Sequence, residues 1–278
     1  YLVCLGIELR ITAFIGVRNQ VDYLRRKIPY LLQNGIGIVL IDNGSNDGVR
    51  SLAEKYQVSG ADISFKHLPF KGHFDLRQQL EEKSKLIAGS DADWVMHLDA
   101  DEMPHSRCDH EALSAALIRA DQAGYNAIDF DEFVFLPIRP VGIDSKQLLF
   151  PFSHYYLFKP SVPRLMRAWR RDSGLTNVTS GGHMLEGDTL KLSPESLILR
   201  HYPFLSQEHA YTKYAKRQFS ALELSLGWHS NRIGIETSRF EFPSPEELQL
   251  LHDVGSHKLD YSRPRRLHYW EWPKTSLD

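Results

Sequence analysis

The chain predicts an α/β fold: a mostly parallel sheet flanked by helices, followed by a lobe of mixed character. Three observations predict it. Up to residue 135, short β-branched apolar runs alternate with amphipathic stretches of helical period. Turn formers occupy the changeovers. Acidic clusters directly follow two of the apolar runs, which is where an open parallel sheet places its ligands.

Taken in order, residues 11–17 are apolar and β-branched and read as the first strand. Residues 22–34 then set Leu24, Ile28, Leu31 and Leu32 at helical spacing, and Gly35 and Gly37 stop that helix. A strand at 38–41, a turn-rich stretch at 43–48 and a helix at 49–56 form the next unit. A third strand spans 63–67, a charged amphipathic helix 75–88, and a fourth strand 94–98 that stops at Asp99, Asp101 and Glu102. A helix at 109–124 and a strand at 127–135 complete the alternation. Beyond Pro137 prolines, aromatics and short alternating runs take over, at 153–158, 183–185 and 189–192, with Gly187-Asp188 placed to close a hairpin. Residues 207–226 read as one helix with Tyr211, Tyr214, Ala215, Gln218, Leu222 and Leu226 on a stripe. From Arg239 a Pro-rich, aromatic tail is expected to wrap the domain.

At 278 residues the chain suits one large domain or two small ones, and its 42% hydrophobic and 24% charged content is globular. Thirty-three basic against 35 acidic residues leave −2, so no global field collects nucleic acid, and any charged ligand is held locally. Two cysteines, Cys4 and Cys108, are too few and too far apart for a disulfide scaffold or an all-Cys zinc site. There is no apolar run of about 18 residues, and residues 1–9 lack the basic start and apolar stretch of a signal peptide. The expectation is a cytoplasmic protein, with peripheral attachment at the inner face of a membrane as the accompanying option.

The strongest motif is Trp94-Val95-Met96-His97-Leu98-Asp99-Ala100-Asp101-Glu102. Three carboxylates at a strand end repel one another unless a cation intervenes. Mg2+ and Mn2+ take oxygen ligands and share them with substrate phosphates, so Asp-x-Asp suits a clamp on a metal-bound diphosphate. The competing reading is a solvated acidic turn at a helix start. Asp42 to Gly48, Asp-Asn-Gly-Ser-Asn-Asp-Gly, ends another strand and aims Asp42 at the same crevice, although Asx-rich turns are common. Arg18-Asn19-Gln20 closes the first strand with a guanidinium suited to phosphate or to a neighbouring acid. His183, after two glycines, and Arg200-His201-Tyr202-Pro203 supply histidines for a metal or diphosphate, or for the core.

In this order the motifs resemble the family 2 type glycosyltransferases of GT-A fold, in particular a small bacterial branch described as family 2-like. The resemblance covers about residues 10–220, most specifically the first 105. It implies a nucleotide-diphosphate sugar donor, with UDP- or GDP-sugars first, and Mn2+ or Mg2+ as cofactor. It also implies a glycan or lipid-linked acceptor. Residue by residue, Asp42 would contact the base or ribose, Asp99 the ribose or the metal's water shell, and Asp101 the metal. His201 would complete the metal or diphosphate site, and Arg18 and Arg77 would touch the donor. Gln20 stands where the family commonly has Glu. Residues 1–137 are expected to form the donor half and 138–278 the acceptor half of one domain.

An inverting transfer needs a carboxylate base opposite the leaving group. Glu132 or Asp131 is the candidate, and because successive strand residues face opposite sides, one of the two at most reaches the site. Asp172 and Glu186 are the rivals. Trp169, Trp228, Tyr155 and Tyr156 are candidates to line an acceptor cleft, or else core. The basic, aromatic segment 263–272 could serve an acceptor, a membrane or a partner subunit, or pack back on its own domain. The rival activities are weaker: a nucleotidyltransferase lacks its Gly-rich loop here, and a dehalogenase-type phosphatase finds Met103 where Thr or Val is needed. A silent GT-A scaffold that binds sugar or a partner is the non-enzyme alternative.

Overall fold

A computed structural model describes residues 9–138, 152–229, 233–236 and 241–273. Cys4 and Arg239, where the expected tail begins, lie outside the described residues. Strands β1 (Ile11–Val17), β2 (Ile36–Asp42), β3 (Ile63–His67) and β4 (Trp94–Asp99) run parallel in the order β3-β2-β1-β4. Between them lie α1 (Val21–Gln33), α2 (Val49–Val58) and α3 (Leu76–Ala88). The register puts Val17 beside Asp42 and Gly16 beside Asp99, so the first three motifs share one edge of the sheet. Local chemistry fixes this edge. Asp47 accepts from the Val21 amide at 2.8 Å at the start of α1, and Asp75 caps α3 by accepting from the Gln78 amide at 2.8 Å.

Beyond β4 come β5 (Glu102–His105), α4 (Leu113–Gln122), β6 (Ala127–Leu136), β7 (His154–Phe158), β8 (Met166–Arg170) and β9 (Leu197–His201). The start of β6 pairs antiparallel with β8, which in turn pairs with β4. The remainder of β6 pairs antiparallel with β7 on one side and parallel with β9 on the other. Antiparallel pairing of β5 and β9 sets Glu102 opposite His201. Two-residue strands β10 (Gln249–Leu250) and β11 (Pro264–Arg265) border β7. The main core lies between the parallel strands and α1, α2 and α4, and holds Trp94, Tyr23 and Ile15. A second cluster joins Phe204 and Tyr214 to Tyr269, Trp270 and Trp272, so the basic aromatic segment does pack back on its own domain. No helix among the described residues is long and apolar enough to cross a membrane.

Four expectations need correction. Gly37 lies inside β2 and does not end a helix; a Cβ there would collide with the Asp62 carboxylate. Helix α4 starts at Leu113, not 109, because the Asp109 carboxylate is held by the His257 amide and Ser256. The hairpin at Gly187-Asp188 does not form, since Glu186 bridges to Thr176 and Leu192 to Ala127. The single helix at 207–226 breaks into α5 (Gln207–Ala210), a π-helical turn (Tyr211–Ala215) and α6 (Ala221–Ser225). There the backbone pairs elsewhere: the Phe74 amide donates to the Gln218 carbonyl at 2.8 Å, and the Ser220 amide to the Phe74 carbonyl at 3.3 Å.

Candidate active site

A cleft of about 750 Å³ opens at the carboxyl edge of β1 and β4. Its floor is the turn between β4 and β5, which carries Asp99, Asp101 and Glu102. This turn is held from beneath. The Lys27 ammonium, fully buried on α1, donates to the carbonyls of Asp99 and Glu102, and Lys83 on α3 donates to the Leu98 carbonyl at 3.2 Å. Burial pushes both lysines down to about 8, against the pull of the neighbouring carboxylates. Glu102 closes the turn by accepting from the Asp99 amide at 2.9 Å and pairs with buried Arg167 of β8. Two glycines permit the close packing here. A Cβ on Gly16 would lie 2.9 Å from Gln79, and one on Gly182, at φ +86°, would lie 3.0 Å from His97.

Across the floor runs a chain of charges. Arg164 pairs with Glu132, whose other oxygen lies 2.6 Å from His201 Nδ1. His201 Nε2 lies 3.4 Å from Asp101 Oδ2, and that oxygen also takes the Lys213 ammonium. Burial opposes charge on Asp101, but Lys213 and His201 outweigh it and hold the carboxyl well below its usual range. Burial likewise opposes charge on His201, and Asp101 and Glu132 overcome it, raising the imidazole well above its usual value. The carboxylates Asp99, Asp101, Glu102 and Glu132 therefore meet more cationic groups than their own number: Lys27, Lys83, Arg164, Arg167, Lys213 and His201. Such a floor attracts a polyanion.

A divalent cation fits this donor set. Metal-ligating histidines characteristically donate their other ring nitrogen to a carboxylate, as His201 does to Glu132, and Lys213 already sets a cation on Asp101. Mg2+ and Mn2+ need only one or two carboxylates when phosphates and water complete the shell. Among the described residues no group of three His, Cys, Asp or Glu side chains is placed to hold a metal by itself.

The other sequence candidates fall in distinct places. Arg18 lines the cleft, donates to the carbonyls of Asn43 at 2.7 Å and Gly44 at 2.9 Å, and lies 3.3 Å over the Phe70 ring. Gln20 also lines it. Asp42 is buried behind this wall and accepts from the Ser45 amide at 3.1 Å, which shapes the Asx turn. Arg77 lies outside the cleft and pairs with Glu81. Asp131 also lies outside, held by Arg107 at 2.6 Å and Lys159 at 2.8 Å, whereas Glu132 reaches the cleft. Asp172 pairs with Arg171 on the surface, and Glu186 sits in its bridge to Thr176. His183 and Trp228 line the cleft; Trp169, Tyr155 and Tyr156 are core.

Sequence reasoning missed Lys27, Lys83, Arg164, Arg167 and Lys213. A signal existed for Lys27, which shares the apolar face of α1 with Leu24, Ile28 and Leu31, a position a lysine takes only when it has partners inside. Of the basic, aromatic segment 263–272 that the sequence offered for an acceptor, His268 and Trp270, stacked at 4.3 Å, line the cleft.

Two histidines, His209 in the cleft wall and the buried His105 beside Tyr30, make stability depend on pH. Burial lowers His105 well below its usual value, and burial, then Lys213, pushes His209 down to about 4. The Leu205 amide donates to His209 Nδ1 at 3.0 Å, which requires the neutral ring. Both folded values lie below about 6.5, so the unfolded chain binds the extra protons. Their contribution is complete above that pH and is lost as pH falls toward 4. His209, at about 4, is expected to cost about 2 kcal/mol at pH 5, and His105 acts in the same direction. Between pH 7.5 and 5 the melting temperature of wild type should fall further than that of His209→Asn, and an equal fall in both would refute the neutral assignment of His209.

The sequence model of the family described as Glycosyl transferase family 2 matches residues 12–157. A segment of 96 residues is 33% identical to the lipopolysaccharide core biosynthesis glycosyltransferase LpsC of Rhizobium meliloti (strain 1021), covering 34% of this chain and 33% of that protein. The chain thus matches about a third of that curated relative's length. Among solved structures it is similar to S. aureus TarS 1–349 in complex with UDP-GlcNAc, at 12% identity and a TM-score of 0.41, over 70% of this chain and 58% of that one. It is also similar to the mannosyltransferase PcManGT from Pyrobaculum calidifontis in complex with GDP-Man and Mn2+, at 13% identity and a TM-score of 0.40, over 74% and 63%.

Proposed function

Because the chain belongs to glycosyl transferase family 2, we propose that it moves a sugar from a nucleotide-diphosphate donor to a hydroxyl of a glycan acceptor, with a divalent metal and inversion at the anomeric carbon. The GT-A type fold places the cleft at the sheet edge where Asp99 and Asp101 sit. The observation that carries the reading is the floor itself, an acidic turn held among a larger number of cationic groups, which accepts a diphosphate and a cation together.

In this reading the donor's nucleoside lies along the wall of Arg18 and Phe70, with Asp42 shaping the turn behind it. Asp101 and His201 hold the metal, and Asp99, half exposed to the cleft, faces it or the ribose. Bound there, Mn2+ or Mg2+ would stabilise the negative charge that develops on the departing diphosphate. Lys213 is placed to follow that charge, and Arg167 holds the turn through Glu102. The acceptor half, from residue 138 onward, supplies Trp228, His268 and Trp270 as apolar faces for sugar rings. The similarity to LpsC supports an acceptor of the lipopolysaccharide core kind.

The test is a thermal-shift panel of UDP, GDP, CDP and dTDP, each with Mn2+ or with EDTA. A nucleotide at 100 times its dissociation constant adds about 2.7 kcal/mol, visible as a raised melting temperature. One nucleotide is expected to stabilise the protein only with Mn2+. No shift with any of them removes the donor reading.

A further inference from the structure

Glu132 is the carboxylate of the 131/132 pair that faces the cleft, yet both its oxygens are engaged. Oε2 pairs with Arg164, itself anchored with its guanidinium 4.5 Å over the Phe158 ring. Oε1 lies 2.6 Å from His201 Nδ1. The Glu132 side chain is only 4% exposed, and the parallel β6–β9 pairing locks both backbones. A proton acceptor for a sugar hydroxyl needs an oxygen that the hydroxyl can reach. Here the hydroxyl would have to displace an ion-paired guanidinium or an imidazole. The same geometry suits another task, because holding Nδ1 fixes the ring plane and leaves Nε2 facing Asp101, at 3.4 Å.

We propose that Glu132 is a positioning residue: through His201 Nδ1 it aims Nε2 at Asp101 and so sets the affinity of that pair for a divalent cation, and it does not take the acceptor's proton. The proposal rests on the metal reading given above. Arg164 keeps the carboxylate ionised and oriented, and His201 serves as the hinge between Glu132 and Asp101.

The experiment is a Mn2+ titration of the full chain followed by the EPR signal of free Mn2+, with no nucleotide and no turnover. Glu132→Gln is expected to weaken Mn2+ binding by about 10- to 100-fold. Glu132→Asp should recover part of the loss, and His201→Asn with Glu132→Gln should be no weaker than His201→Asn alone. At saturating Mn2+, kcat of Glu132→Gln should return to within a few-fold of wild type. Unchanged Mn2+ affinity with a kcat that stays at least 100-fold down would make Glu132 the base and overturn the proposal. Wild type that binds no Mn2+ would overturn it too. Since the titration uses neither donor nor acceptor, a weakened Mn2+ affinity with no nucleotide binding would sustain this inference while defeating the sugar-transfer reading.

Discussion

Asp101→Asn should abolish Mn2+-supported nucleotide binding and lower transfer by at least about 100-fold, the scale seen when one group that stabilises developing charge is removed. Asparagine keeps the shape of the side chain but removes the negative charge that Lys213 and His201 both engage. Two cations would then face each other across a neutral amide, with no anionic ligand left between them. The metal, which takes His201 only as the neutral imidazole, would lose the carboxylate that now stands beside that ring and would still face Lys213. The fold should survive, because neighbouring Glu102 and Lys27 hold the turn through other atoms. The check is a nucleotide thermal shift with Mn2+ on a variant whose circular dichroism matches wild type. A shift as large as that of wild type would show that Asp101 is not a metal ligand.

The largest effect on stability is expected from Arg167→Met. Arg167 and Glu102 are each about 3% exposed in their side chains and pair directly, while a second guanidinium nitrogen donates to the Gly182 carbonyl at 2.9 Å. Removing one member of a buried ion pair leaves the other charge without its partner, at about 3–5 kcal/mol. At roughly 2–4 °C per kcal/mol for a chain of this size, the melting temperature should fall by about 6–20 °C. Pairing the change with Glu102→Gln should restore much of the loss, because the buried charge is then gone. A single variant that melts within 2 °C of wild type would mean that water reaches Glu102 and that the pair contributes little.

Elements whose apolar period was clean were legible. Strands β1 and β3 agree with the sequence reading to the residue, and α3 to within a residue. What failed did so for physical reasons. The strands β8 and β9 carry Arg167 and Arg200, charges that break an alternation argument but are satisfied inside, by Glu102 and by the carbonyls of Val254 and Ser256. The helix at 207–226 has a sound stripe, but pairing of Phe74 with Phe219 overrides its local preference. Of the site, the strand-end acids were visible because their spacing and place are local. Their counter-charges were not, since Lys27, Lys83, Arg167 and Lys213 come from four separate elements and meet only through the topology. Asp131 and Glu132 show the limit: alternation separates their faces but not the cations that await each.

The far wall of the cleft has a consequence for the order of assembly. His268 and Trp270 belong to a segment whose strand β11 docks on β7 more than a hundred residues after β7 is made. On the ribosome, β1 to β4 can fold once residue 99 has emerged, since their mutual pairings lie within the first hundred residues. Once the chain has reached Lys213 the crevice holds its charges, but it stands open on the side where His268 and Trp270 are still unsynthesised. Only when residues 264–272 leave the exit tunnel does that side close. A nascent chain halted before this point would expose Tyr156, Phe158 and Phe204 to water, a sticky surface suited to chaperone capture.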